Sequence, residues 1–184
     1  KGRIQKASQN NVTVKLKMGG DLDSETHQWL KVAYENSHWR WRLDFNNSLS
    51  FDTWESWWGE VPVDIKSRVE FVEDPFVYDA QLWNQVQESR KVSLALDIQL
   101  DVDFASPGFD VIVFKPCWDF VRLDDLLHSK KSVVVTHSME SSWGHYQSVV
   151  FALDLKEKIK SRMLICGLLR EGLFKNEPLG ALVG

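Results

Sequence analysis

Cysteine is nearly absent from this 184-residue chain: Cys117 and Cys166 are the only two, and they lie far apart. A disulfide framework and a four-thiolate zinc site are thereby excluded, and both thiols are expected in the core. Long apolar runs are lacking too. Nothing approaches the roughly 18 consecutive apolar residues of a membrane helix, and the opening KGRIQKASQNN has no apolar centre of the secretion-signal kind. A cytoplasmic setting without membrane contact is the simplest expectation. Blocks of five or more Lys/Arg are missing and the formal net charge is −4, so no nucleic-acid surface is expected, although Arg40 and Arg42 alternate with tryptophans. No glycine-rich phosphate loop follows any apolar run; Gly19-Gly20 reads as a turn. His27, His38, His128, His137 and His145 show no HExxH or paired metal spacing.

What is present is ordinary for a folded protein: 43% hydrophobic and 26% charged residues, which exclude disorder, in a length that suits one domain. Seven β-rich runs recur: 12–18, 39–45, 69–73, 92–97, 110–114, 132–138 and 163–169. Stretches of helical character separate them, at 21–37, 51–67, 79–89, 118–129 and 141–160, with Asp23 and Ser24, Asp52, and Ser141 with Ser142 as start signals. This is a β-α alternation, and strands apolar on nearly every residue indicate a parallel sheet covered by helices.

Charges interrupt these strands always in the same place. Lys15 and Lys17, Asp44, Glu73, Asp97 and Lys115 stand at or just beyond the carboxyl ends of five successive strands. Ligands in parallel α/β folds bind at those ends, and in a (β/α)8 barrel the catalytic groups gather there as a ring. A doubly wound sheet, whose chemistry collects at one or two switch points, fits less well.

Asp44, Glu73 and Asp97 arrive from consecutive strands and make a hard oxygen site of the kind that holds Mg²⁺. A lone strand-end Asp is usually a cap or turn residue, and Asp74-Pro75 reads as a turn signal. Three in register differ, because packed carboxylates repel one another unless a cation or protons neutralise them. Lys15 and Lys17 share one face of their strand by period-2 geometry. If that face points inward, two ammonium groups beside a divalent cation are expected to have lowered pKa values, leaving one as a base; on an edge strand they would be surface residues.

VKLKMG, RLDFN, VEDP, LALD, VFKP and THSMESSWG, in this order across residues 14–144, resemble the enolase superfamily in its muconate-lactonizing subgroup. Within it they are most similar to the o-succinylbenzoate synthase family. The resemblance implies Lys17 as the acid/base, Lys15 as its neighbour, and Lys115 on the opposite face of the substrate. It implies Asp44, Glu73 and Asp97 as Mg²⁺ ligands. Substrate contacts fall on Asn46, Ser138 and Ser141, the last two at a helix start that suits a carboxylate. The implied activity is that of a lyase: abstraction of a proton α to the carboxylate of a small molecule, then syn dehydration, in menaquinone synthesis. Departures occur at Asp97-Ile98, where the family usually has Asp-Glu, and at Cys117-Trp118-Asp119, where small residues follow K-P; the hydrogen bonding around Lys115 should therefore differ.

Lysines on both faces of an α-carbon would equally serve racemisation or epimerisation, as in N-succinylamino acid racemases and dipeptide epimerases. A rival of another class is a tryptophan-rich binding module, since nine tryptophans cluster partly in HWRWR and TWESWW. Trp54, Trp57 and Trp58, at i, i+3 and i+4, instead read as a core-facing stripe. His137 reads as a structural histidine. A homo-oligomer is left open. A closed barrel has eight strands and family members add an N-terminal α+β capping domain, so 184 residues read as a partial (β/α) barrel of the enolase C-terminal type, lacking its first strand and lid.

Overall fold

A computed structural model describes residues 12–98, 101–119, 122–137, 142–166 and 168. Six parallel strands form one sheet in sequence order: β1 (Thr13–Lys17), β2 (Arg40–Asp44), β3 (Val69–Glu73), β4 (Leu94–Leu96), β5 (Val111–Phe114) and β6 (Ser132–Val135). Helices fill the connections: α1 (Leu22–Glu35), α2 (Phe51–Glu60), α3 (Val63–Lys66), α4 (Ala80–Arg90), α5 (Pro116–Asp119), α6 (Leu123–His128) and, after β6, α7 (Ser142–Ile159). No helix of the described residues is long and apolar enough to cross a membrane.

The sheet is curled. β2 and β6 are four strands apart in sheet order, yet Nη1 of Arg42 on β2 donates to the carbonyl of Ile165, beyond β6, at 2.7 Å. Curling gives the sheet two unlike faces. Outside, Trp29, Trp41, Leu43, Phe45, Trp54, Trp58, Trp83 and Ile65 form a core almost closed to solvent. Inside, Phe71, Ala95, Val111, Val113 and Val134 make a separate, smaller cluster. Trp29, Trp41, Trp54, Trp57, Trp58 and Trp83 are all buried, so the indole stripe of α2 is core rather than a binding surface.

Several sequence expectations are corrected. The run 163–169 contributes, among the described residues, a single parallel bridge from Met163 to Val133 rather than a strand, and the Ile165 carbonyl goes to Arg42 instead of a neighbouring strand. The helix expected over 51–67 breaks at Pro62, because the residue before a proline is driven out of the helical region; Val61 is extended. Of the helix expected over 118–129, the described residues form the short α5 and α6. Asp21 caps α1 through the Ser24 amide, so Asp23 lies inside the first turn, and Ser50, not Asp52, caps α2. Neither cysteine is fully buried: Cys117 is exposed on α5, and Cys166 is half-buried.

Candidate active site

Parallel register places the charged residues together. Lys17 pairs with Asp44, and Asp44 with Glu73, while Glu73 pairs with Ala95, two residues before Asp97. Residues in register share a face, and so do residues two apart in a strand, so Lys15, Lys17, Asp44 and Glu73 all lie on the inner face at its carboxyl end.

Lys15 is at the centre of the group. Its Nζ lies 2.7 Å from Glu73 Oε1 and 2.9 Å from Asp44 Oδ2. Lys17 is more loosely held, 3.8 Å from Asp44 and 3.5 Å from Asn46 Oδ1, with 73% of its side chain exposed. Asn46, itself exposed, donates its amide to Asp44 Oδ1. On the far side Lys115 Nζ reaches Asp97 Oδ2 at 2.5 Å, and its amide is held by Asp119 Oδ2 at 2.7 Å. Ser138 and Ser141 lie outside the described residues.

Two carboxylates set the electrostatics at Lys15. Burial acts to lower its pKa, but Glu73 and Asp44 outweigh burial and raise it, so Lys15 is firmly an ammonium. Burial pushes the Glu73 carboxyl up to about 8, opposed by Lys15 and reinforced by Asp44 and Asp97. Burial likewise raises Asp74 to about 7, against the hydrogen bonds it accepts from Asp97 and Ile98.

Among the described residues no three His, Cys, Asp or Glu side chains converge as a ready cage for a metal; ammonium groups lie among the carboxylates. The donor set nevertheless suits a hard divalent cation. Asp44, Glu73 and Asp97 are buried carboxylates that interact electrostatically, and Asp97 Oδ1 is buried without a hydrogen-bond partner among the described residues.

Sequence reasoning missed the roles of three carboxylates. Asp74 was read as a turn, yet it is 1% exposed and hydrogen-bonded beneath Asp97. The carboxylate of Asp119, four residues after Lys115, caps that lysine's amide, and spacing alone could have suggested it. Glu70 is turned inward by an irregular register at Trp41/Arg42 and pairs with Arg42 at 2.8 Å. A cavity of about 330 Å³ near this pair, lined by Arg40, Arg68, Glu70, Ser93 and Asp110, opens at the amino ends of the strands, where barrels carry stability rather than chemistry.

No protein-family model matches the chain. It is 34% identical over 175 residues to o-succinylbenzoate synthase of Bdellovibrio bacteriovorus, covering 92% of this chain and 52% of that relative. Its fold matches o-succinylbenzoate synthase of Thermosynechococcus elongatus, whose structure holds magnesium in the active site, with a TM-score of 0.58 and 24% identity over 80% of this chain and 49% of that one. A mandelate racemase/muconate lactonizing protein from Herpetosiphon aurantiacus aligns with a TM-score of 0.66 and 13% identity, over 85% of this chain and 47% of that one. The muconate lactonizing enzyme of Pseudomonas putida aligns with a TM-score of 0.60 and 11% identity, over 77% and 43%. The chain spans about half the length of the relatives it matches. The resemblance carried by the six motifs is thus borne out as a likeness: over about half of its length, o-succinylbenzoate synthase is similar to this chain in sequence and in fold.

Proposed function

We propose that residues 1–184 are the barrel portion of a Mg²⁺-dependent, o-succinylbenzoate synthase-like lyase that acts on a small carboxylate, with o-succinylbenzoate, of menaquinone synthesis, as product. The family's opening barrel strand and capping domain are, in this proposal, not among these residues. One observation carries it: Lys17 ends β1 and Lys115 follows β5, and between them Asp44 and Glu73 end β2 and β3 and Asp97 follows β4.

Asp44, Glu73 and Asp97 would hold Mg²⁺, which when bound supplies Lewis-acid stabilisation of charge on the substrate carboxylate, as in enolase-superfamily sites generally. Lys17, loosely tethered and solvent-facing, is free to approach the α-carbon and take its proton. The C–H electron pair moves toward the carboxylate. As it returns to form the double bond, the β-hydroxyl leaves with the proton that Lys17 gives back, so one water departs. Lys115, fixed by Asp97 and by Asp119 at its amide, faces the developing negative charge from the other side. Lys15 stays charged and binds Asp44 and Glu73, and Asn46 lies beside Lys17 for substrate contact. Ser138 and Ser141 are proposed to hold the substrate's carboxylate.

Lys17→Ala should abolish Mg²⁺-dependent dehydration while leaving Mg²⁺ binding intact; an active variant contradicts the assignment. The flanking lysines also support a second reading, proton removal by one and return by the other, giving racemisation or epimerisation. Solvent deuterium entering the α-carbon of an N-succinylamino acid or dipeptide, with no water lost, would favour that reading.

A further inference from the structure

Three residues with left-handed backbone follow two of the carboxylates: Asn46 (φ 48°) and Asn47 (φ 59°) after Asp44, and Asp74 (φ 42°) after Glu73. Such conformations are unfavourable for residues other than glycine and persist where surrounding bonds fix them. Here the bonds converge on Asp74. Its Oδ1 accepts the Asp97 amide at 3.1 Å and its Oδ2 the Ile98 amide at 3.0 Å. Its own amide donates to the Ala95 carbonyl at 3.1 Å, and its carbonyl accepts the Asn47 amide at 2.7 Å. Asp74 thus ties the ends of β2, β3 and β4 together. Among the described residues no Lys, Arg or His forms an ion pair with it.

We infer that Asp74 is a positioning residue, fixing the strand ends from which Asp44, Glu73 and Asp97 would ligate a divalent cation. The inference rests on the reading of those three as a metal site. A carboxylate is needed because each of its oxygens accepts one of two adjacent N–H groups. An asparagine of the same shape has one acceptor and would turn its NH₂ against the other amide. Asp97 carries the consequence: its Oδ2 is engaged by Lys115, its Oδ1 has no partner among the described residues, and its backbone is placed by Asp74. Partners that orient metal ligands without touching the metal typically cost 10- to 100-fold in affinity when lost.

The test is calorimetric titration of Mg²⁺ into the metal-free chain, its D74N variant and a matched control, D79N. Asp79 also accepts two backbone amides, those of Gln81 and Leu82, but as the cap of α4. D74N should bind Mg²⁺ at least about tenfold more weakly than the unaltered chain. D79N, in which one oxygen can still accept both amides, should leave the unfolding midpoint and the Mg²⁺ affinity nearly unchanged. Amide hydrogen exchange on the unaltered chain needs no variant: the Asp97 and Ile98 amides should be protected like those of β4. Unchanged affinity in D74N, equal weakening in D79N, or loop-like exchange at Asp97 and Ile98 each overturns the positioning role. An unaltered chain that takes no Mg²⁺ overturns instead the metal-site reading on which it rests.

Discussion

On the outer side of β2, Trp41 and Leu43 lie among apolar neighbours; on the inner side of the same strand, Arg42 and Asp44 are equally buried, but against charges. The contrast runs along the whole sheet. The outer face holds six buried indoles and the contacts of α1, α2 and α4, whereas the inner face has five buried apolar residues below a layer of carboxylates and lysines. Burying apolar surface stabilises the fold, and burying carboxylates costs stability unless cations meet them. The inner face therefore places charge where it opposes folding, and does so where the strands end and a ligand can reach it.

The largest expected effect breaks the outer face. Trp54 is fully buried and stacks on Trp58 with ring centroids 5.6 Å apart. Trp54→Ala should lose about 3–5 kcal/mol of stability in urea unfolding, the usual range for deleting a buried large aromatic. A small loss would mean that this face is not what holds the sheet.

A smaller effect sharpens the inner face. Glu73 ionises about pH 8 when folded and at 4.5 when not, so between these values the folded state binds the extra proton. Stability of the metal-free protein should therefore fall as pH rises through that window and level off above it, with Asp74 adding a similar fall that ends near pH 7. Glu73→Gln, measured in EDTA across the same range, should flatten the profile. An unaltered slope would mean that Glu73 is not the group opposing folding.

The smallest effect belongs to neither face. Arg90 and Glu55 form a bidentate pair, 2.6 Å at its closest, between the partly exposed sides of α4 and α2. Arg90→Ala should cost only about 0.2–1 kcal/mol by the same unfolding measurement, the range of exposed ion pairs.

Legibility in the sequence follows the same division. Apolar runs located β1 to β6, and the charges that close five of them located the strand ends, because both signals are local and obey period-2 geometry. The tryptophan stripe of α2 was legible for the same reason, at period 3.6. What escaped depends on partners distant in sequence. Glu70 turns inward because β3 slips against β2. Lys15 is stabilised as a cation by Asp44 and Glu73, which only the pairing of β1, β2 and β3 delivers to it. Asp74 followed by Pro75 has the look of any turn until the end of β4 is beside it. The run at 163–169 had strand composition, but the Ile165 carbonyl is taken by a side chain from across the curled sheet.

The central claim is that the inner face at the strand ends is the reactive one, with Lys17 removing the proton. It is tested most directly by following Mg²⁺-dependent loss of deuterium from the α-carbon of an α-deuterated candidate carboxylate substrate, in the intact natural protein and its Lys17→Ala variant. The account predicts loss of the label in the unaltered protein and a fall of roughly 10²- to 10⁴-fold in the variant, with the unfolding midpoint and the Mg²⁺ affinity unchanged. Loss that continues undiminished without the Lys17 amine would contradict it.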